Sequence, residues 1–200
     1  MSNVADFSVK PVLTGEKAVL RPFTEDDVPV MARILGDPEV IRLTGSPAEA
    51  FDPDRLRAWY TTRNAQTDRL DLGIVDRASG ELVGEVVLNE WDESNRNCNF
   101  RILVGPGGRD RGLGTEAVRL IVGHAFEQLG LHRVSLHVFA FNPRARRAYE
   151  KAGFVAEGVE RQTLLHAGEW IDAVRMSVLA HEWAAHHGYP DLAEISATAR

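Results

Sequence analysis

The stretch "GGRDRGLGTEAVRLIVGHAF", Gly107 to Phe126, sets glycines and two arginines directly ahead of an apolar pattern. Apolar residues recur at Ala117, Val118, Ile121, Val122, Ala125, Phe126 and Leu129, one face of a helix. The first backbone N–H groups of a helix lack intrahelical acceptors, and the helix dipole favours negative charge beside them. Glycines let such a turn approach a ligand closely. The guanidinium groups of Arg109 and Arg111 can bind phosphate oxygens in pairs. The chemistry implied is the holding of a phosphate-bearing ligand, although a plain tight turn would also use glycines. Two familiar phosphate loops are excluded. A P-loop requires lysine where this chain has Leu113 after Gly112, and a dinucleotide fingerprint counted from Gly105 and Gly107 meets Asp110 in place of its last glycine.

A second motif lies beyond the next strand. "NPRARRAYEKAGF" reads as a helix with Asn142 as cap, Pro143 at its first position and Gly153 past its end. The pair R-x-x-G-x-G and N-x-x-A-x-x-x-Y-x-x-x-G-F resembles the GNAT superfamily of acyl-CoA-dependent N-acetyltransferases. "GEKAVLRPFTEDDVPVMARILGDPEV" and "HAGEWIDAVRMSVLAHEW" resemble the ends of its RimJ/RimL-type branch. The resemblance implies acetyl-CoA as co-substrate, with Arg109, Arg111, Gly112, Leu113, Gly114 and Thr115 around the pyrophosphate. It puts Asn142 near coenzyme A or the thioester, and pantetheine along the backbone of residues 102–104. The N–H of Val104 or Leu103 becomes the oxyanion donor, and Tyr149 the general acid. Tyr149, Ala145 and Arg101 depart from the residues common in that branch, which are aliphatic, serine and small in turn.

Acyl transfer from a thioester to an amine needs a neutral amine, donors for the developing oxyanion and a proton for the departing thiolate. A phenol, with a pKa of about 10, can supply that proton, and the alternative for Tyr149 is packing of its helix. For the base, Glu85 lies within the strand "LVGEVVLNEW", and His137 shares a strand face with Ser135 and Phe139. A structural or solvent-facing role is the first reading of each, with the base role second, and a water chain to bulk could replace both. Trp59 and Tyr60 read either as walls of the acceptor pocket or as core. The acceptor is a primary amine, either a protein N-terminus or a small molecule. A non-catalytic acyl-CoA-binding or regulatory module is the rival reading.

The elements needed to position these groups follow the order β α α β β β α β α β β, a mixed α/β domain. One helix is expected over "TEDDVPVMARIL", interrupted by "GDPEV", and another over "PDRLRAWYTTRNAQ". The resemblance implies a GNAT fold: a central, mostly antiparallel twisted sheet of about seven strands with a V-shaped splay, flanked by about four helices. Residues 1–200 read as one domain, with a core at 13–183 and a frayed tail at 184–200.

Composition agrees with a globular enzyme. The 200 residues are 44% hydrophobic and 26% charged, and 23 basic against 29 acidic residues give a net charge of −6. That balance argues against nucleic acid as partner. No run approaches a membrane span and the N-terminus lacks a signal-peptide pattern, so the expected location is cytoplasmic. Cys98, the single cysteine, permits no intrachain disulfide and reads as packing. His181, His186 and His187 have no metal-ligand spacing, so no metal is expected. Relatives often form homodimers, and nothing in the sequence specifies one.

Overall fold

Alternating and continuous apolar runs build one sheet, seen here in a computed structural model that describes residues 5–46 and 52–188. Its strands are β1 (Leu13–Thr14), β2 (Ala18–Arg21), β3 (Leu70–Asp76), β4 (Leu82–Asp92), β5 (Asn97–Val104), β6 (Arg133–Phe139), β7 (Val155–His166) and β8 (Glu169–Leu179). They lie in the order β1-β2-β3-β4-β5-β6-β8-β7. Every neighbouring pair is antiparallel except β5 and β6. That parallel pair is joined only at Asn97↔Arg133, Cys98↔Val134 and Asn99↔Ser135, after which the strands diverge. This is the splay.

Strand period two sends alternate residues to opposite faces. Val86, Leu88, Phe100, Leu136 and Val138 are buried with one stripe of α4 (Leu113–Glu127), made by Ala117, Val118, Ile121, Val122, Ala125 and Phe126. The other face, carrying Glu85 and Leu103, meets α1 (Val28–Leu35), α2 (Pro38–Thr44) and α3 (Pro53–Arg63). Phe23, Met31, Ile34, Val40, Leu56 and Tyr60 form a second apolar cluster there with Leu82 and Leu103. The two remaining helices are α5 (Pro143–Lys151) and α6 (Ala180–His187).

Three details differ from the expectation. The helix awaited over "TEDDVPVMARIL" begins as a 3-10 turn, Glu25–Asp27, and becomes α1 only at Val28. Asp27 accepts the Thr24 N–H at 2.7 Å and both Arg21 nitrogens, at 2.7 and 2.8 Å. Pro29, lacking an N–H, suits only the first turn of the new helix. "GDPEV" is a start as well as a break: Asp37 accepts the Val40 N–H at 3.0 Å and caps α2. Short β1 and the helices α2 and α6 raise the totals to eight strands and six α-helices among the described residues. Helix α6 extends to His187, inside the tail expected at 184–200, and residues 189–200 of that tail lie outside the described part.

The segment ahead of β1 is anchored by an ammonium group. Lys10 Nζ donates to the carbonyl oxygens of Phe7 at 2.6 Å, Gln66 at 2.7 Å and Arg69 at 2.7 Å. Lys10→Met keeps much of the stem and deprives three carbonyls of their donor. The expected cost is about 1–3 kcal/mol, read as a lower urea midpoint with unchanged slope.

Candidate active site

The gap between β5 and β6 opens into a cleft of about 790 Å³, lined from both faces of the sheet. Along β5, the Gly105 N–H donates to Val83 O at 2.7 Å, which fixes the alternation of the strand. Odd-numbered residues there turn their peptide groups toward β4, and even-numbered ones turn theirs into the gap. The N–H groups of Ile102 and Val104 therefore face the cleft without a strand partner. Leu103, the other candidate oxyanion donor, is corrected by the same alternation: its N–H points at β4. Its side chain joins the cluster under α1–α3.

The start of α4 closes one side of the gap. Helices α2, α3 and α5 are capped by the side chains of Asp37, Asp52 and Asn142, whereas α4 begins at Gly112 with no side-chain cap. The amides of Leu113, Gly114 and Thr115 thus lack intrahelical acceptors. Gly112 has φ +83°, a left-handed conformation that glycine adopts without strain. At Gly114 a Cβ would lie 3.3 Å from Val104 Cγ2, so the helix start can approach β5 closely. Gly112, Gly114 and Thr115 line the cleft. Leu113 offers only its amide, since its side chain is in the core.

Both arginines expected at a phosphate are engaged elsewhere. Arg109 donates from Nε to Val104 O at 3.2 Å, from one terminal nitrogen to Asp37 Oδ1 at 2.7 Å and from the other to Glu39. Its guanidinium holds the Asp37 carboxyl below the usual carboxylate range. Arg109, which also lines the cleft, therefore ties the glycine turn to the cap of α2. Arg111 pairs with Asp76 at 2.7 Å and does not line the cleft. Besides Arg109, the cleft is lined there by three cations of α5, Arg144, Arg147 and Lys151, with Arg144 reaching Asp110 at 3.1 Å. Their spacing of three and four puts them on one helix face, a signal the sequence reading left unused. Asn142 lines the cleft while its Oδ1 accepts the Ala145 N–H at 3.1 Å.

Tyr149 enters from the α4 side of the sheet. Its ring meets Phe100 edge-on at 6.2 Å and Phe154 at 6.0 Å, and it lines the cleft. The hydroxyl makes no hydrogen bond among the described residues, and burial pushes its pKa up, so it stays protonated.

Glu85 enters from the opposite face. Tyr60, buried on α3, donates its hydroxyl to Glu85 Oε2 at 2.9 Å. Loss of solvation outweighs that bond and raises the carboxyl from 4.5 to about 7. His137 shares this face but pairs with Glu160 at 2.9 Å. Trp59 is 48% exposed beneath the Arg63 guanidinium, with no part in the cleft lining.

An uncapped helix start on one side of the sheet and a carboxyl that burial raises to about 7 on the other thus face one cleft. A family model described as an acetyltransferase (GNAT) domain matches residues 17–155. The chain belongs to the GNAT family of N-acetyltransferases. Spermidine N(1)-acetyltransferase of Escherichia coli (strain K12) is 29% identical over 182 residues, 90% of this chain and 96% of that protein. The putative ribosomal N-acetyltransferase YdaF of Bacillus subtilis (strain 168) is 33% identical over 135 residues, 68% of this chain and 70% of its own length. The crystal structure of spermidine N-acetyltransferase from Vibrio cholerae in complex with CoA and spermine shares the fold, with TM-score 0.78 at 23% identity, covering 84% of this chain and 99% of that one.

Proposed function

We propose that this protein transfers an acetyl group from acetyl-CoA to a primary amine by direct attack on the thioester. The observation that carries the reading is the opposition of Glu85 and Tyr149 across a gap with unpaired peptide groups. In this scheme Leu113, Gly114 and Thr115 amides hold the pyrophosphate, aided by Arg144, Arg147 and Lys151. Ile102 offers its peptide group to pantetheine, and the Val104 N–H, whose residue's carbonyl is held by Arg109, polarises the thioester carbonyl. Glu85 takes a proton from the bound ammonium group. The freed nitrogen attacks the carbonyl carbon, the C–S bond of the tetrahedral adduct breaks, and Tyr149 gives its proton to the departing sulfur. The surplus proton on the new amide nitrogen passes through water to the Tyr149 oxygen, and Glu85 releases its own proton to solvent. A small-molecule amine is the favoured acceptor class, in keeping with relatives named for spermidine. The YdaF relative and the RimJ/RimL-type motifs favour a protein N-terminus as second reading. The buried Cys98 accords with a reducing, cytoplasmic setting.

Thiol release from acetyl-CoA with a panel of primary amines tests the reading, beside calorimetry of coenzyme A binding. Release with at least one amine is expected, and binding without release would favour an acyl-CoA sensor. Gly112→Val forces a β-branched residue into φ +83° and should weaken coenzyme A by at least about tenfold with an unchanged circular dichroism spectrum. An unchanged Kd would remove the turn from the binding site.

A further inference from the structure

The charges that face the acceptor side of the cleft are unequally satisfied. Glu39 is held by Arg109, Asp71 by Arg69 at 2.7 Å, and Glu160 by His137. Arg42 lies over the Phe141 ring at 5.2 Å. Glu90 and Arg101 are different. Both line the cleft and are exposed, and neither makes an ion pair or side-chain hydrogen bond among the described residues. Glu90 sits towards the far end of β4, beyond the Asn89↔Asn99 pair, whereas Arg101 lies nearer Glu85. Register places Arg101 on β5 opposite Val87, one step along the same face from Leu103, whose partner is Glu85. Such diagonal neighbours have Cα atoms roughly 7–8 Å apart, within reach of a long side chain. The Arg101 guanidinium also acts electrostatically on both the Glu85 carboxyl and the Tyr60 hydroxyl.

An ammonium group placed beside Arg101 would be repelled by it. An anionic group there would instead form a charge-assisted, two-pronged contact. We propose that the acceptor is a compact amine that also carries a carboxylate or phosphate, with its nitrogen at Glu85 and its anion on Arg101. The inference rests on the acetyl-transfer reading above and narrows its substrate class. It makes Arg101 a specificity-determining residue. Carboxylate and phosphate share the relevant chemistry, so the test carries an arm for each.

Acetyl-CoA is supplied with β-alanine, 2-aminoethyl phosphate, propylamine and spermidine, using the natural protein, Arg101→Gln and Arg101→Lys. One of the two anionic amines should exceed propylamine and spermidine in kcat/KM by at least about tenfold. Arg101→Gln should abolish that preference by raising the KM of the anionic amine about tenfold or more, leaving the KM for acetyl-CoA in place. Arg101→Lys should recover part of the loss, since it restores the charge without the fork. Which anion wins identifies the carboxylate or the phosphate. Preference for spermidine in the natural protein overturns the inference while leaving acetyl transfer intact. An equal loss for all four amines in Arg101→Gln also overturns it, because it marks a structural role. Absence of thiol release with every amine removes the acetyl-transfer reading and this inference with it.

Discussion

Glu85→Gln is expected to lower kcat by about 10²–10⁴-fold, the range for loss of a positioned general base. The amide still accepts the Tyr60 hydroxyl, so the local hydrogen bond of 2.9 Å survives the change. In the natural protein kcat/KM should climb with pH and level off above about 7, where the carboxyl has ionised. The glutamine variant should lose that limb. Stability should move the other way. The folded state holds a proton from pH 4.5 to about 7 that the unfolded chain has already released. This group's contribution to stability is thus full below pH 4.5 and falls as pH rises through that window. Glutamine removes the penalty. Its gain above pH 7 should be about 1–3 kcal/mol, held below the full shift because the side chain still meets cleft water. Thermal denaturation at pH 4 and pH 8 checks the sign: the variant should gain only at the higher pH. Unchanged turnover would take the base role from Glu85.

Tyr149→Phe should lower kcat by about 10²-fold while leaving the Kd for acetyl-CoA unchanged. The hydroxyl has no protein partner among the described residues, so stability should stay within about 1 kcal/mol. Tyr149→Ala is a different experiment. It removes a ring packed against Phe100 and Phe154 and should cost about 3–5 kcal/mol. A thioester donor with a more acidic thiol needs less help in leaving, and it should restore most of the rate to the phenylalanine variant. A residue that only packs would show no such rescue. Full activity of Tyr149→Phe would reassign the proton to solvent.

Local signals were legible where the responsible groups are close in sequence. Asn142, Pro143 and Gly153 mark the ends of α5, and the apolar stripe of α4 faces the sheet as its spacing implies. The helix α2 was missed because Gly36 and Pro38 read as breakers, although Asp37 before Pro38 is also a cap. Partnerships between distant segments were not legible. Arg109 and Arg111 looked free because Asp37, Glu39 and Asp76 reach them only after folding. Glu85 became a stronger candidate base because Tyr60, on a helix that packs over its strand, buries and bonds it. The three-pair limit on the β5–β6 ladder likewise has no local signal, because the two strands are separated in sequence by α4 and the turn before it.

The β5–β6 opening divides the protein's vocabulary. One side of the gap presents peptide amides, which every residue type shares, beside Tyr149 and the cations of α5; the opposite wall presents side chains such as Glu85, Arg101 and His137. Changes of residue at that wall can redirect the choice of amine while the donor's seat is left as it was. New specificities are therefore reachable by altering one face of the sheet, and a designer should begin there.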